Sequence, residues 1–316
     1  MRKKYVVTGG AGFIGSNLVD ELFKLDRPIC HDVEVVVLDN LSTGSRDNIN
    51  PRATFVNCDI SKCGKNGPDR AKAEEAIKGA DSLFHLAALA RVQPSIEDPE
   101  SFDRINVGGT LNMLDLAAKA GVRRFVFSSS SAVYGDVIEE QLPTSEAAPT
   151  NPLSPYALNK LIGEEYCKLY SRIFDLETVC LRYFNVYGER QPLEGAYTLV
   201  MGAFAKLRLE GKTLTINGDG EQRRDFTYVK DVAMANILAS NCPGVGCGEV
   251  INIGNGDNRS VNDIAKLIGG DTTHRAPVIE PRATLADNTQ AKTLLTWSPS
   301  VTLEDWMPSY KSSLGL

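Results

Sequence analysis

The stretch T-G-G-A-G-F-I-G (residues 8–15) follows a short apolar run beginning at Lys4 and leads straight into S-N-L-V-D-E-L-F. Strand, glycine turn and amphipathic helix, in that order, put backbone N–H groups at a helix N-terminus. There they and the helix dipole favour a pyrophosphate. Gly9, Gly12, Phe13, Ile14 and Gly15 are the candidates to surround it. The next apolar run closes on Asp39 and Asn40, where an acidic side chain can accept hydrogen bonds from an adenosine ribose. No arginine directly follows Asp39, and a carboxylate repels a 2′-phosphate, so the expected dinucleotide is NAD rather than NADP. Asp59 and Ile60, just past the third apolar run, are expected beside the adenine, with capping of the following turn as the other use of Asp59.

Outward from that turn, β-branched runs alternate with helical patterns through the first half of the chain. Strands are expected over 4–8, 33–39, 54–58, 82–87, 124–129 and 178–182, and helices over 14–25, 71–78, 105–120 and 156–174. That alternation specifies an α/β protein: a doubly wound parallel Rossmann sheet, covered by helices on both faces. Residues 1–182 form the dinucleotide-binding domain in this reading, and 183–316, richer in Gly and Pro, form mainly a smaller α/β substrate-binding lobe. Within it, 222–240 reads as a strand and helix returning to the first domain.

With 316 residues and 42% hydrophobic content the chain can bury a large core. The formal charge of −6 argues against a nucleic-acid-binding surface, which needs clustered Lys and Arg. The opening M-R-K-K-Y-V-V-T-G-G carries no signal-peptide core, and no run of about 18 apolar residues follows, so a cytoplasmic protein without a membrane partner is expected. The seven cysteines, at 30, 58, 63, 167, 180, 242 and 247, form no C-x-x-C pair, and no metal is expected. Cys58 with Cys63, and Cys242 with Cys247, share a four-residue gap compatible with a local disulfide or part of a metal site.

In S-P-Y-A-L-N-K, Ser154 is an N-cap, Pro155 the first helical residue, and Tyr156 and Lys160 share one helix face. A phenol with an ordinary pKa near 10 acts as a general base at neutral pH only when a cation stabilises its phenolate. Lys160 and an oxidised nicotinamide are the expected cations. The fifth strand ends in F-S-S-S-S-A-V-Y-G (127–135), at the carboxyl edge where open α/β sheets place their ligands.

Together with H-L-A-A (85–88), D-N-L-S-T-G (39–44) and R-Y-F-N-V-Y-G (182–188), these motifs resemble the extended short-chain dehydrogenase/reductase family that acts on sugar nucleotides, from Tyr5 to about Trp297. The resemblance implies that Ala87 and Ala88 lie along the cofactor while His85 is a packed strand residue. It places Ser130, aligned on Tyr134-Gly135, at the catalytic Ser/Thr position, with Ser128 and Ser129 as substrate-binding helpers. Asn185 and Arg224 are implied contacts of the sugar diphosphate. Arg282 is a second phosphate candidate, although many relatives have a Gly-Asp after that arginine that this chain lacks. Thr284, three residues before Asp287 in A-D-N-T-Q-A, is implied to lie beside the sugar 2-substituent.

Relatives that dehydrate or decarboxylate carry an acid just after the catalytic Ser/Thr, where this chain has Ser131 and Ala132. The expectation is therefore NAD-dependent, reversible 4-epimerisation of a UDP-hexose through a 4-keto sugar, N-acetylated forms included. A homodimer through helices 105–120 and 156–174 is implied as well. The alternatives are a lyase of the same family and a non-enzymatic dinucleotide sensor.

Overall fold

The computed structural model describes residues 3–25, 33–193, 198–278 and 281–316; Cys30 lies outside them. Seven strands form the central sheet: β1 (Lys3–Thr8), β2 (Val33–Asp39), β3 (Thr54–Asn57), β4 (Ser82–His85), β5 (Arg124–Ser130), β6 (Glu177–Tyr183) and β7 (Cys247–Ile253). Their spatial order is β7-β6-β5-β4-β1-β2-β3, with every neighbouring pair parallel. The winding reverses between β1 and β4, which opens a crevice at the carboxyl ends of those strands.

Side chains alternate across the sheet, and both faces are apolar because both are covered. Val7, Val37, Phe84 and Val126 pack with Leu18 and Leu22 of α1 (Phe13–Lys24). Val6, Val36, Leu83 and Phe125 pack on the other face with Ala73 and Ile77 of α2 (Arg70–Ile77) and Met113 and Leu114 of α3 (Gly109–Lys119). The long α4 (Pro155–Ile173) starts as the sequence specifies, with the Ser154 hydroxyl accepting from the Ala157 N–H at 3.2 Å and Pro155 in the first turn. A π-helical turn, Asp103–Gly108, precedes α3, so the expected 105–120 helix is two segments.

The segment 222–240 divides. The helix α5 (Val229–Asn241) packs against α1, as expected, but the strand Arg223–Asp225 does not join the central sheet; it pairs antiparallel with Asn258–Ser260 in the second lobe. The strand that does return is β7, which the sequence reading did not find. Its C-G-E-V-I-N-I pattern is half polar and follows a glycine-rich turn, and it lies at the sheet's edge.

The second lobe carries the helices Val200–Leu209, Val261–Ile268 and Leu303–Leu314 over two-stranded pairings. Its core is continuous with the first: Trp306 stands edge-on to Tyr187 at 5.1 Å, and Trp297 Nε1 donates to the Asp231 carbonyl of α5 at 2.8 Å. Among the described residues no helix is long and apolar enough to cross a membrane.

Candidate active site

A cleft of about 730 Å³ runs along the carboxyl ends of β1 to β6 and under the second lobe. At its floor the chain turns at Gly9 with φ +72°, a left-handed conformation that favours glycine. A Cβ there would stand 2.7 Å from the Ala87 nitrogen, and one at Gly15 would meet the Gly9 carbonyl at 2.2 Å. Glycine at these positions is what allows β1, β4 and α1 to meet. The N-cap Gly12 offers α1 no side-chain acceptor, so the first-turn amides of Phe13 and Ile14, both lining the cleft, are available to an anion.

Asp39 is nearly buried at the end of β2, where its carboxylate accepts from the Leu41 N–H at 2.7 Å and the Ala11 N–H at 3.0 Å. It thereby splints the glycine turn while lining the cleft beside Asn40, with acceptor capacity left for a diol. Asp59 lines the cleft with Ile60 and caps the 3₁₀ turn by accepting from the Ser61 N–H at 3.0 Å. Donors at a helix start, a carboxylate one strand over and an apolar slot by Ile60 are the set a dinucleotide requires, so the residues present fit NAD.

The wall formed by Leu86, Ala87, Ala88, Leu89 and Arg91 is held by Asn106, which donates to the Leu89 carbonyl at 2.9 Å and accepts from its N–H at 2.8 Å. His85 is packed beneath, bonded to Thr8 at 2.8 Å and Thr110 at 3.0 Å; burial lowers its pKa to about 3, so it is neutral and not a base. Neither Asn106 nor Arg91 was found from the sequence. Arg91 has φ +98°, unusual for a non-glycine residue, and such strain clusters at functional sites.

Tyr156 and Lys160 line the opposite wall with Ser130. Burial raises the Tyr156 phenol above its ordinary value, while a hydrogen bond with the Ser130 hydroxyl and the Arg91 charge act to lower it. The sequence reading gave the cationic role to Lys160 and an oxidised nicotinamide. In the structure the Arg91 charge also favours the Tyr156 phenolate, and the Lys160 ammonium donates to the Ser128 carbonyl at 2.7 Å, 6.0 Å from the Tyr156 ring centre. Burial lowers the Lys160 pKa to about 8, opposed by Glu164 one turn on and by Cys167.

The serines before Ser130 have partners of their own. The Ser128 hydroxyl bonds Tyr183 Oη at 2.9 Å, and the Ser129 hydroxyl donates to Glu164 at 2.5 Å. Both residues line the cleft with these hydroxyls already bonded within the protein, and Ser130 is the serine that bonds Tyr156.

From the second lobe Asn185, Arg224 and Thr284 reach the cleft. The Thr284 hydroxyl accepts from the Asp225 N–H at 3.3 Å, and Asn185 Nδ2 donates to the Asp225 carbonyl at 3.1 Å. Arg282 does not line the cleft: its guanidinium is half exposed and pairs with Asp219 at 2.9 Å. The backbone of the segment is held at Arg223, which donates its N–H to the Arg282 carbonyl and accepts the Thr284 N–H, while the Arg282 side chain is held away from the cleft by Asp219. Cys242 and Cys247 are thiols, the former donating to the Leu294 carbonyl at 3.0 Å.

The model of the NAD dependent epimerase/dehydratase family matches residues 5–254. The UDP-glucose 4-epimerase of Mycolicibacterium smegmatis is 36% identical over 313 residues, 95% of either chain. Among solved structures, the UDP-glucose 4-epimerase of Thermotoga maritima with UDP-glucose superposes with TM-score 0.88 at 35% identity, covering 98% of this chain and 99% of that one. The UDP-N-acetylglucosamine 4-epimerase of Methanobrevibacter ruminantium, in complex with UDP-N-acetylmuramic acid, gives 0.85 at 33% identity over 99% and 96%. UDP-sugar decarboxylases are also among the similar proteins.

Proposed function

The chain belongs to the NAD dependent epimerase/dehydratase family, and from that footing we propose that it interconverts UDP-hexoses at C4. The observation that carries the reaction type is the distribution of acids. Among the described residues the carboxylates lining the cleft are Asp39 and Asp59, at the ends of β2 and β3. β2 lies three strand spacings from β5, on the order of 14 Å, so among the described residues no cleft-lining carboxylic acid stands by Ser130 to protonate a leaving hydroxyl. The chemistry at the Ser130–Tyr156 wall is limited to proton transfer coupled to redox at carbon.

NAD, when bound, supplies the hydride acceptor and donor. Tyr156, as phenolate, takes the proton of the sugar 4-hydroxyl, and Ser130 donates a hydrogen bond to the same oxygen as it becomes a carbonyl. Arg91 and Lys160 keep this wall cationic and favour the phenolate. Asn185 and Arg224 hold the diphosphate, arginine by its forked donors. The 4-keto sugar turns about its diphosphate linkage, presents its other face, and receives hydride and proton back, with no net oxidation.

The substrate range extends in this reading to N-acetylated hexoses, because Thr284 is small where it lines the cleft. The working unit is a cytoplasmic homodimer. Leu158 and Leu169 are exposed on one stripe of α4, with Ile162 between them, which supports pairing through that helix. The six described cysteines are thiols, as a reducing compartment keeps them.

The test is incubation with UDP-glucose, UDP-galactose and their N-acetyl counterparts, followed by separation of products. A new C4 epimer supports the reading, a product lighter by water or carbon dioxide supports a lyase, and no turnover supports a sensor. Tyr156→Phe retains NAD and the fold but loses at least about a hundredfold in rate.

A further inference from the structure

We propose that Cys58 and Cys63 form a reversible disulfide that distorts the adenine end of the cleft, making NAD binding responsive to hydroperoxides. The proposal rests on the NAD reading of that cleft. β3 ends at Asn57, and the Cys58 N–H donates to the Asp39 carbonyl at 3.2 Å, so the chain here lies against the residue assigned to the ribose. Asp59 then caps the turn Ile60–Lys62, which brings Cys63 back until the two sulfurs stand 3.5 Å apart.

The two thiols are not equivalent. Both are buried in the same apolar cluster, and of the two only Cys58 also lines the cleft, beside Asp59 and Ile60. The contact itself polarises the pair: the hydrogen bond from Cys63 lowers the Cys58 pKa, and the same bond, with burial, raises that of Cys63. The residue that lines the cleft is thus the one whose thiolate is favoured, as for an attacking thiol, and Cys63, its sulfur 3.5 Å away, is placed to resolve.

The chemistry balances with a hydroperoxide as oxidant. The Cys58 thiolate attacks one peroxide oxygen, the O–O bond breaks, and the departing oxygen leaves as water carrying the thiol proton. The Cys63 sulfur then displaces hydroxide from the Cys58 sulfenic acid, its own proton making the second water. Two thiols lose two electrons and hydrogen peroxide becomes two waters.

Closing the bond draws the sulfurs from 3.5 Å to about 2.05 Å, and the turn that carries Asp59 and Ile60 must follow. On the side away from the cleft there is no room: a Cβ at Gly109 would already stand 2.6 Å from Ile60 Cδ1, and Asn112 holds the Ile60 carbonyl at 2.9 Å. Movement is therefore directed into the adenine slot. Cys167 and Cys180 also touch in the core, but neither lines the cleft, so they serve as an internal comparison.

The experiment uses the full-length protein, purified with its bound NAD and also after NAD is stripped. NAD affinity of the reduced protein is measured first; each sample is then titrated with hydrogen peroxide, and tryptic peptides are weighed without reduction. The expected result is a linked pair of peptides spanning Cys58 and Cys63, NAD affinity lowered by about tenfold or more, and recovery with dithiothreitol. Linkage is slower in the NAD-loaded sample. Cys63→Ala, which touches no cleft surface, keeps wild-type activity and an NAD affinity insensitive to peroxide. Linkage without loss of NAD affinity, or an intact dithiol at peroxide levels that oxidise the exposed Cys247, overturns the proposal. Reduced protein that binds no NAD overturns the cofactor reading and this one with it, and that outcome is recognised before oxidant is added.

Discussion

At Glu164 a fully buried carboxylate lies one helical turn beyond Lys160, accepting from Arg182 at 2.7 and 2.8 Å and from Ser129 at 2.5 Å. It connects α4, β5 and β6 directly behind the catalytic wall, and its charge opposes the desolvation that pulls Lys160 down to about 8. Lys160 is an ammonium below its pKa and neutral above it, so the rise of kcat/KM with Tyr156 ionisation ends in an alkaline limb that begins near pH 8. In Glu164→Gln the supporting charge is gone, the Lys160 pKa drops further, and the alkaline limb moves to lower pH. Because Arg182 is left buried without its counter-ion, the same variant loses about 3 kcal/mol of stability, read from denaturant unfolding. A kcat/KM profile with an unmoved alkaline limb contradicts the coupling. Glu164 was not legible in the sequence. Tyr156 and Lys160 announce themselves by spacing, and Ser130 by the family resemblance of its strand end, whereas Glu164, Asn106 and Arg91 act through contacts made only once β4, β5 and the helices are packed.

The elements place chemistry at their ends. β2 stops at Asp39, and because that carboxylate also holds the Ala11 and Leu41 amides, cofactor choice and the shape of the glycine turn are coupled. Asp39→Ser therefore weakens NAD and narrows its margin over NADP, by about tenfold or more in relative Kd, measured by titrating both dinucleotides. An unchanged preference contradicts the role assigned to Asp39. The strands and helices of the first domain were legible because short β-branched runs, apolar on both faces, alternate with longer stretches of 3.6-residue period. β7 was not, since an edge strand with a half-polar pattern carries little of either signal, and the π-helical turn before α3 has no sequence signature of its own.

Across the whole molecule the cleft is a joint product of both lobes, and the least legible part of it is the second lobe's contribution. Arg282 and Thr284 are two residues apart and were read together from one segment, yet Thr284 lines the cleft and Arg282 pairs with Asp219 outside it. The Arg282 side chain is drawn away by its ion pair with Asp219, a tertiary contact that one-dimensional spacing does not encode. The position of Thr284, beside Asn185, leads to a prediction about substrate range. Thr284→Tyr fills the space by steric overlap, so kcat/KM falls about a hundredfold for N-acetylated UDP-hexoses and much less for the plain ones. Equal losses on both contradict the gate. The central claim, that a hydride leaves C4 and returns to the same carbon while Tyr156 and Ser130 manage the proton, is tested most directly with UDP-galactose deuterated at C4. In ordinary water, without added NAD, the account predicts UDP-glucose that keeps its deuterium at C4; deuterium lost to solvent, or a product of lower mass than an epimer, contradicts it.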